Sequence, residues 1–316
     1  MKYIKQNLYK KPKLFFTVWL WCFLPTILTA QTLKEDLENI IRDKKATVGI
    51  ALIINGKDTL TINNDVQYPL MSVFKFHQAL AIAHTFEQER ENFDKKILIL
   101  KDDLKPNTYS PLRDRFPKGN IRLSVHELLK YTLQLSDNNA CDILFNRITD
   151  IPTTVDYLQS IGCTDFAIMH NEDEMHQNLE HCYGNWSTPL ETARLFEKLF
   201  TENLFTTHLQ DTLKNILWNC STGTNRLPAP LPSKVRIAHK TGTGDRNKRG
   251  EIIGLNDAGF VLLPDGQHYS LAVFVKNSKE SDQDTERIIA TISERVYQYI
   301  SNQHQKNKSY VTKQHN

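Results

Sequence analysis

A serine hydroxyl is a poor nucleophile until a neighbour takes its proton, and the segment Tyr68-Pro69-Leu70-Met71-Ser72-Val73-Phe74-Lys75 offers such a neighbour. A helix starting at Ser72 puts Lys75 three residues on and on the same face. Alone, SxxK is a weak signal, because an ordinary helix start satisfies it too. Two further pieces strengthen it. Ser136-Asp137-Asn138 lies 64 residues later, at a predicted loop-to-helix junction, and Lys240-Thr241-Gly242 follows a strand another 104 residues on. Each also has a structural reading, as a helix cap and as a strand ending in a turn, so the weight rests on all three occurring in this order.

The elements that must bring these pieces together are legible in outline. Residues 46–55, ATVGIALIIN, are apolar and β-branched, stop at Asn55-Gly56 and resume as DTLTIN, which reads as a hairpin. A second hairpin is expected in GFVLLPDGQHYSLAVFV, turning at Pro264-Asp265-Gly266, with the strand-like VRIAH of residues 235–239 before it. Between these ends the pattern is helical. Ser124 and Glu127 form a capping box ahead of Leu128, Leu129, Tyr131 and Thr132, and another helix begins near residue 136. Ile288, Ile289, Ile292, Val296 and Ile300 recur at helical spacing before a polar tail from about Ser301, expected to fray. The expected fold is therefore α/β of the α+β type: an antiparallel sheet built from both chain ends with flanking helices, and an inserted all-helical part. The boundaries read as 31–70 and about 220–302 for the α/β part, about 71–219 for the mainly helical part, and 303–316 for the tail. The cleft between the two parts is where chemistry is expected.

Composition removes several alternatives. In 316 residues, 40% are hydrophobic and 24% charged, an ordinary globular balance that excludes a disordered or collagenous chain. Residues 1–30 hold five lysines and no acid, then an apolar run from Leu14 to Leu28 and the small-residue ending Leu28-Thr29-Ala30, which reads as an export signal. The expected location is periplasmic, with no membrane span after cleavage. Without those residues the body has 34 Lys and Arg against 36 Asp and Glu, which offers no electrostatic footprint for nucleic acid. Cys141, Cys163, Cys182 and Cys220 remain, and disulfides and buried thiols are both open. His170, Glu172, Glu174, His176, His181 and Cys182 crowd one segment with ligand types that zinc accepts, but HExxH and paired-Cys spacings are lacking, so no metal or cofactor is expected.

SxxK, SDN and KTG in this order are the serine set of β-lactamases and penicillin-binding proteins. Over nearly all of its length after residue 30 the chain resembles a class A serine β-lactamase, and is most similar to the extended-spectrum cephalosporinase branch. The shared motifs stand here as His239-Lys240-Thr241-Gly242-Thr243, Asn256-Asp257-Ala258-Gly259 and Leu263-Pro264-Asp265-Gly266. The resemblance implies a monomer that takes small β-lactam substrates, opens their amide through an acyl-enzyme and gives antibiotic resistance. It implies Ser72 as nucleophile, Lys75 as its proton partner and Ser136 as the shuttle to the leaving nitrogen. Asn138 would bind the substrate's side-chain amide. Lys240, with Gly242 beside it on the strand and Thr241 and Thr243 as hydroxyl donors, would receive the carboxylate. The backbone N–H groups of Ser72 and Thr243 would form the oxyanion hole. Tyr109 would wall the cleft, and Arg226 matches a position that supplies a second cation in some members.

Rapid hydrolysis of the ester further requires a carboxylate that activates water. Glu172 fits the family's spacing, 36 residues after Ser136 and 68 before Lys240, with Glu174 as a neighbour of the same type. A D,D-peptidase or an acylated sensor would share the first three motifs without needing this acid. The loop around Glu172 departs from the family. His176 stands where an Asn usually helps orient the water, and His170 and Asn185 stand where an Arg–Asp pair usually closes the loop. A non-standard Ω-shaped loop is expected, with a cleft enlarged for bulky cephalosporins. Met71 and Gly244 are not cysteines, so the disulfide of the carbapenem-hydrolysing members is absent and carbapenem hydrolysis is not expected.

Overall fold

The computed structural model describes residues 24–314, with side chains described for residues 33–303. The greater part of the expected export signal, residues 1–23, lies outside the described residues. Helix α1 (Leu24–Ile41) leads into strands β1 (Thr47–Ile54) and β2 (Asp58–Ile62), whose turn places Asn55 and Gly56 at positive φ as a tight hairpin requires. Helix α2 (Phe74–Glu89) follows a single 3₁₀ turn at Met71–Val73. Then come α3 (Val125–Gln134), α4 (Asn138–Arg147), the short α5 (Glu172–Gln177), α6 (Pro189–Thr201) and α7 (Thr207–Trp218). Strands β3 (Arg236–Thr243), β4 (Ile252–Leu262) and β5 (His268–Ser278) precede the last helix, α8 (Asp282–Gln314).

The five strands form one antiparallel sheet in the order β2-β1-β5-β4-β3. The two ends of the chain meet where β1 pairs with β5, in a register that runs from Thr47 opposite Lys276 to Ile54 opposite Tyr269. Both faces of this sheet are covered, which explains why β1 is continuously apolar instead of alternating. Ile50 and Leu52 join Leu271, Val273 and the inner faces of α1 and α8 in one core. Their strand neighbours Ala51 and Ile53 point the other way, with Ala272 and Phe274, into the core shared with α2 and α6.

Helix α2 is buried nearly all round from Phe74 to Ala83, so it is a central helix and not a surface one. The Ser124 capping box forms as read from the sequence, and Asp137 caps α4 through Ala140 N at 2.8 Å. Two readings need correction. Helix α6 lies within the stretch expected to be the helical part, yet it packs on the sheet, because Ala193, Leu195, Phe196 and Leu199 form an apolar stripe against it. The tail expected to fray from Ser301 instead continues α8 to Gln314. Its Gln, Lys and Asn residues extend an existing helix, which needs no new nucleus.

Candidate active site

Residues 70–72 are held in place before any chemistry is considered. Asn185 O accepts Leu70 N at 2.7 Å, and the buried Asn256 side chain donates to Pro69 O at 2.7 Å and Leu70 O at 3.2 Å. Met71, at φ 47°, takes a left-handed turn that costs strain in a non-glycine residue and delivers Ser72 to the head of α2. Strand β3 passes directly beside this turn. A Cβ on Gly242 would stand 2.6 Å from Leu70 O and 3.3 Å from Ser72 N, so the glycine of KTG is what lets the strand approach.

Lys75, fully buried, is the hub of the site. Its Nζ lies 3.1 Å from Ser72 Oγ, 2.7 Å from Ser136 O, 2.6 Å from Asn138 Oδ1 and 2.9 Å from Glu172 Oε1. An ammonium has three protons for these four oxygens, whereas a neutral amine would have a lone pair to receive the Ser72 proton. Ser72 Oγ also lies 3.4 Å from Glu172 Oε1, so the hydroxyl has both an amine and a carboxylate within reach. Across the cleft Lys240 Nζ donates to Ser136 Oγ at 2.9 Å and to Thr241 O at 2.8 Å. Burial, and then the charge of Lys75, pull the Lys240 ammonium down to about 7.

Two loops frame these groups. Asp137 accepts Ser110 Oγ and Leu112 N, which ties the segment carrying Tyr109 to the SDN turn; Asn138 N donates to Tyr109 O at 3.1 Å. Tyr109 itself is well exposed at the cleft wall. Arg226 is buried, not a surface residue. It donates to Thr243 Oγ1 at 2.7 Å and to the carbonyls of Gly242 and Asn256 at 3.1 Å, and pairs with Glu286 at 3.1 Å. One cleft of about 400 Å³ is lined by Ser72, Tyr109, Ser136, Asn138, Glu172, His176, Arg226, Thr241 and Thr243 among others, with the buried Lys75 and Lys240 hydrogen-bonded to its lining from behind.

The neck of the loop carrying Glu172 is closed by an amide in place of an Arg–Asp pair. The buried Asn185 side chain accepts the N–H groups of Met169 at 2.8 Å and His170 at 3.0 Å, and donates to His170 O at 2.8 Å. The His170 ring stacks on His181 at 4.0 Å. Within the loop, Asn171 and Glu174 form the capping box of α5, which turns Glu174 toward its own helix end and leaves Glu172 facing Lys75. Reasoning from the sequence missed Asp142. Its two carboxylate oxygens accept the N–H groups of Glu172 and Asp173 at 2.9 Å each, and burial followed by the charge of Glu172 pushes its carboxyl up to about 7. Its position four residues after Asn138, on one face of α4, was the available signal.

A family model described as the beta-lactamase enzyme family matches residues 32–300. The chain belongs to the class A serine β-lactamases. A Bacteroides uniformis beta-lactamase is 40% identical over 291 residues, covering 90% of this chain and 98% of its own. The VEB-1 enzyme of Pseudomonas aeruginosa is 36% identical over 307 residues, covering 96% and 100%. Among solved structures, a class A β-lactamase from Bacteroides cellulosilyticus is 42% identical with a TM-score of 0.83, covering 87% of this chain and 99% of that one. The TLA-1 extended-spectrum β-lactamase is 38% identical, also at 0.83, covering 86% and 99%. This β-lactamase is thus a hydrolase of the cyclic amide of β-lactams, on the family's α/β fold. The cysteines of this β-lactamase with described side chains, Cys141, Cys163, Cys182 and Cys220, are all free thiols. No group of three His, Cys, Asp or Glu converges as a metal site among the described residues, and no helix among them is long and apolar enough to cross a membrane.

Proposed function

We propose that this β-lactamase hydrolyses cephalosporins and penicillins through an ester on Ser72, deacylated by water that Glu172 activates, and that it does so as an exported periplasmic monomer. The observation that carries the reading is the position of Glu172 Oε1, 2.9 Å from Lys75 Nζ and 3.4 Å from Ser72 Oγ, in a carboxylate that opens onto the cleft. Lys75 takes the Ser72 proton as the hydroxyl attacks the lactam carbonyl. The backbone N–H groups of Ser72 and Thr243 receive the oxyanion, where one such donor is worth about 3 kcal/mol of transition-state stabilisation. Ser136, hydrogen-bonded to Lys240, passes a proton to the departing nitrogen. Asn138 binds the acylamide side chain, against the wall made by Tyr109. Lys240, Thr241 and Thr243 bind the substrate carboxylate, with Gly242 keeping their strand close and Arg226 adding positive charge through Thr243. Glu172 then draws a proton from a water that attacks the ester, near His176.

Extended-spectrum activity is supported by the relatives TLA-1 and PER-1, both described as extended-spectrum β-lactamases. A peptidase or sensor would acylate and then stall. A chromogenic cephalosporin separates the cases: the expected result is catalytic colour change, unaffected by a chelator and abolished by Ser72→Ala. A single equivalent of colour with no turnover would overturn the reading.

A further inference from the structure

Thr222 and Gly223 lie in the segment that leads from α7 to Arg226, and both line the cleft. This segment is tied to the one that carries Ser136. Ser221 donates from N at 3.1 Å and from Oγ at 2.9 Å to Gln134 O, a carbonyl at the end of α3 that the helix itself leaves unpaired. Gln134 Nε2 in turn donates to Ile216 O at 3.2 Å, and Arg226 N donates to Gly223 O at 2.9 Å. Residues 222 and 223 are held at both ends, and the side chain they meet is that of Thr241.

They fix that side chain in two ways. A Cβ on Gly223 would stand 2.4 Å from Thr241 Cγ2, so the threonine methyl group sits where any other residue would need room. One torsion sets both branches of a threonine, and seating the methyl group also sets the hydroxyl oxygen. That oxygen lies 2.7 Å from Thr222 Oγ1, and each hydroxyl has a single proton to give. A substrate carboxylate can only accept. Thr241 gives it a proton only if the proton between the two threonines comes from Thr222, whose own oxygen is then left to accept, with Cys220 Sγ at 3.4 Å.

We propose that Thr222 is a positioning residue for the substrate carboxylate: seated with Gly223 against Thr241, it donates to Thr241 Oγ1 and so turns the Thr241 proton toward the substrate. This deepens the reading of Thr241 as a donor to that carboxylate and rests on it. Replacing Thr222 by valine keeps the volume, removes the donor and sets a methyl group against the Thr241 oxygen. Thr241 loses the bond that orients it, while Ser72, Lys75 and Glu172 keep theirs.

The test compares a chromogenic cephalosporin with its own methyl ester and reads the ratio of kcat/KM for the acid to kcat/KM for the ester. A loss of folded enzyme lowers both values alike and leaves the ratio unchanged. Thr241→Val should lower it about tenfold, as a lost hydrogen bond to a charged group does. Thr222→Val should lower it about fivefold, mainly through the KM of the acid, and Thr222→Ser, which keeps the hydroxyl, should stay within about twofold of wild type. Thr222→Val combined with Thr241→Val should match Thr241→Val alone, because Thr222 acts through the Thr241 hydroxyl. A wild-type ratio in Thr222→Val beside a lowered one in Thr241→Val overturns the proposal alone. So does a serine variant that fails like the valine, or a double variant whose losses multiply. An unchanged ratio in Thr241→Val overturns the carboxylate reading, and the proposal with it.

Discussion

The two walls of the cleft are built differently. On one side Lys240, Thr241 and Thr243 lie on a strand paired residue by residue with β4, and Ser72 and Lys75 head a helix buried in the core. On the other, Glu172 hangs from a loop whose shape depends on two side chains, Asn185 across its neck and Asp142 at its helix start. A strand ladder and a core helix carry the groups assigned to forming the ester, with Asn256 and Asp137 pinning the turns between them, whereas the group assigned to breaking it has no such ladder and relies on side-chain hydrogen bonds alone. Hydrolysis should therefore be easier to damage in its second half than in its first, and damage to the first half should also damage the fold.

Gly242→Ala should break the strand side hardest. Its methyl group would stand 2.6 Å from Leu70 O, so β3 must move from the Ser72 turn. Overpacking of this kind costs about 1–3 kcal/mol of stability, and misplacement of reacting groups by an ångström costs about 10² in rate. Thermal melting and kcat/KM should fall together, and the burst of acylation should slow with them.

Asn185→Ala should separate the halves. It leaves the part-buried N–H groups of Met169 and His170 without their side-chain acceptor, at up to about 1–3 kcal/mol each, while the backbone O of residue 185 that accepts Leu70 N is kept. Acylation should stay near wild type while deacylation slows about tenfold, so a burst should emerge in stopped-flow traces. Equal slowing of both steps would contradict the division of the walls.

Lys240→Arg should give the smallest change at neutral pH and the clearest one in the pH profile. The Lys240 ammonium is present below about pH 7 and is lost as pH rises through that value, so kcat/KM should carry an alkaline limb there. A guanidinium stays charged, and the limb should move to higher pH even if the rate at pH 7 drops. An unmoved limb would assign it to another group.

How much of this could be read from the sequence depended on distance along the chain. The β1–β2 hairpin, the Ser124 cap and the start of α4 are local: turn residues and capping side chains specify them within a few positions. The three motifs were legible because each serves a fixed role in a known arrangement. What stayed hidden was contact across long separations. Arg226 looks like any exposed arginine until Glu286, sixty residues away, is seen to pair with it. Asn185 was legible only as the absence of an expected charge, because a side chain that bonds to backbone leaves no complementary residue to find. Helix α6 shows the same limit, since its apolar stripe is plain but the surface that covers it is not.

The most direct test of the central claim is the intact mass of Glu172→Gln after brief mixing with a cephalosporin. This amide keeps the shape of the acid but cannot take a proton from water. The account predicts protein carrying one covalently bound substrate fragment on Ser72, persisting for minutes while steady turnover falls by at least about 10². Unmodified protein with undiminished turnover would contradict it.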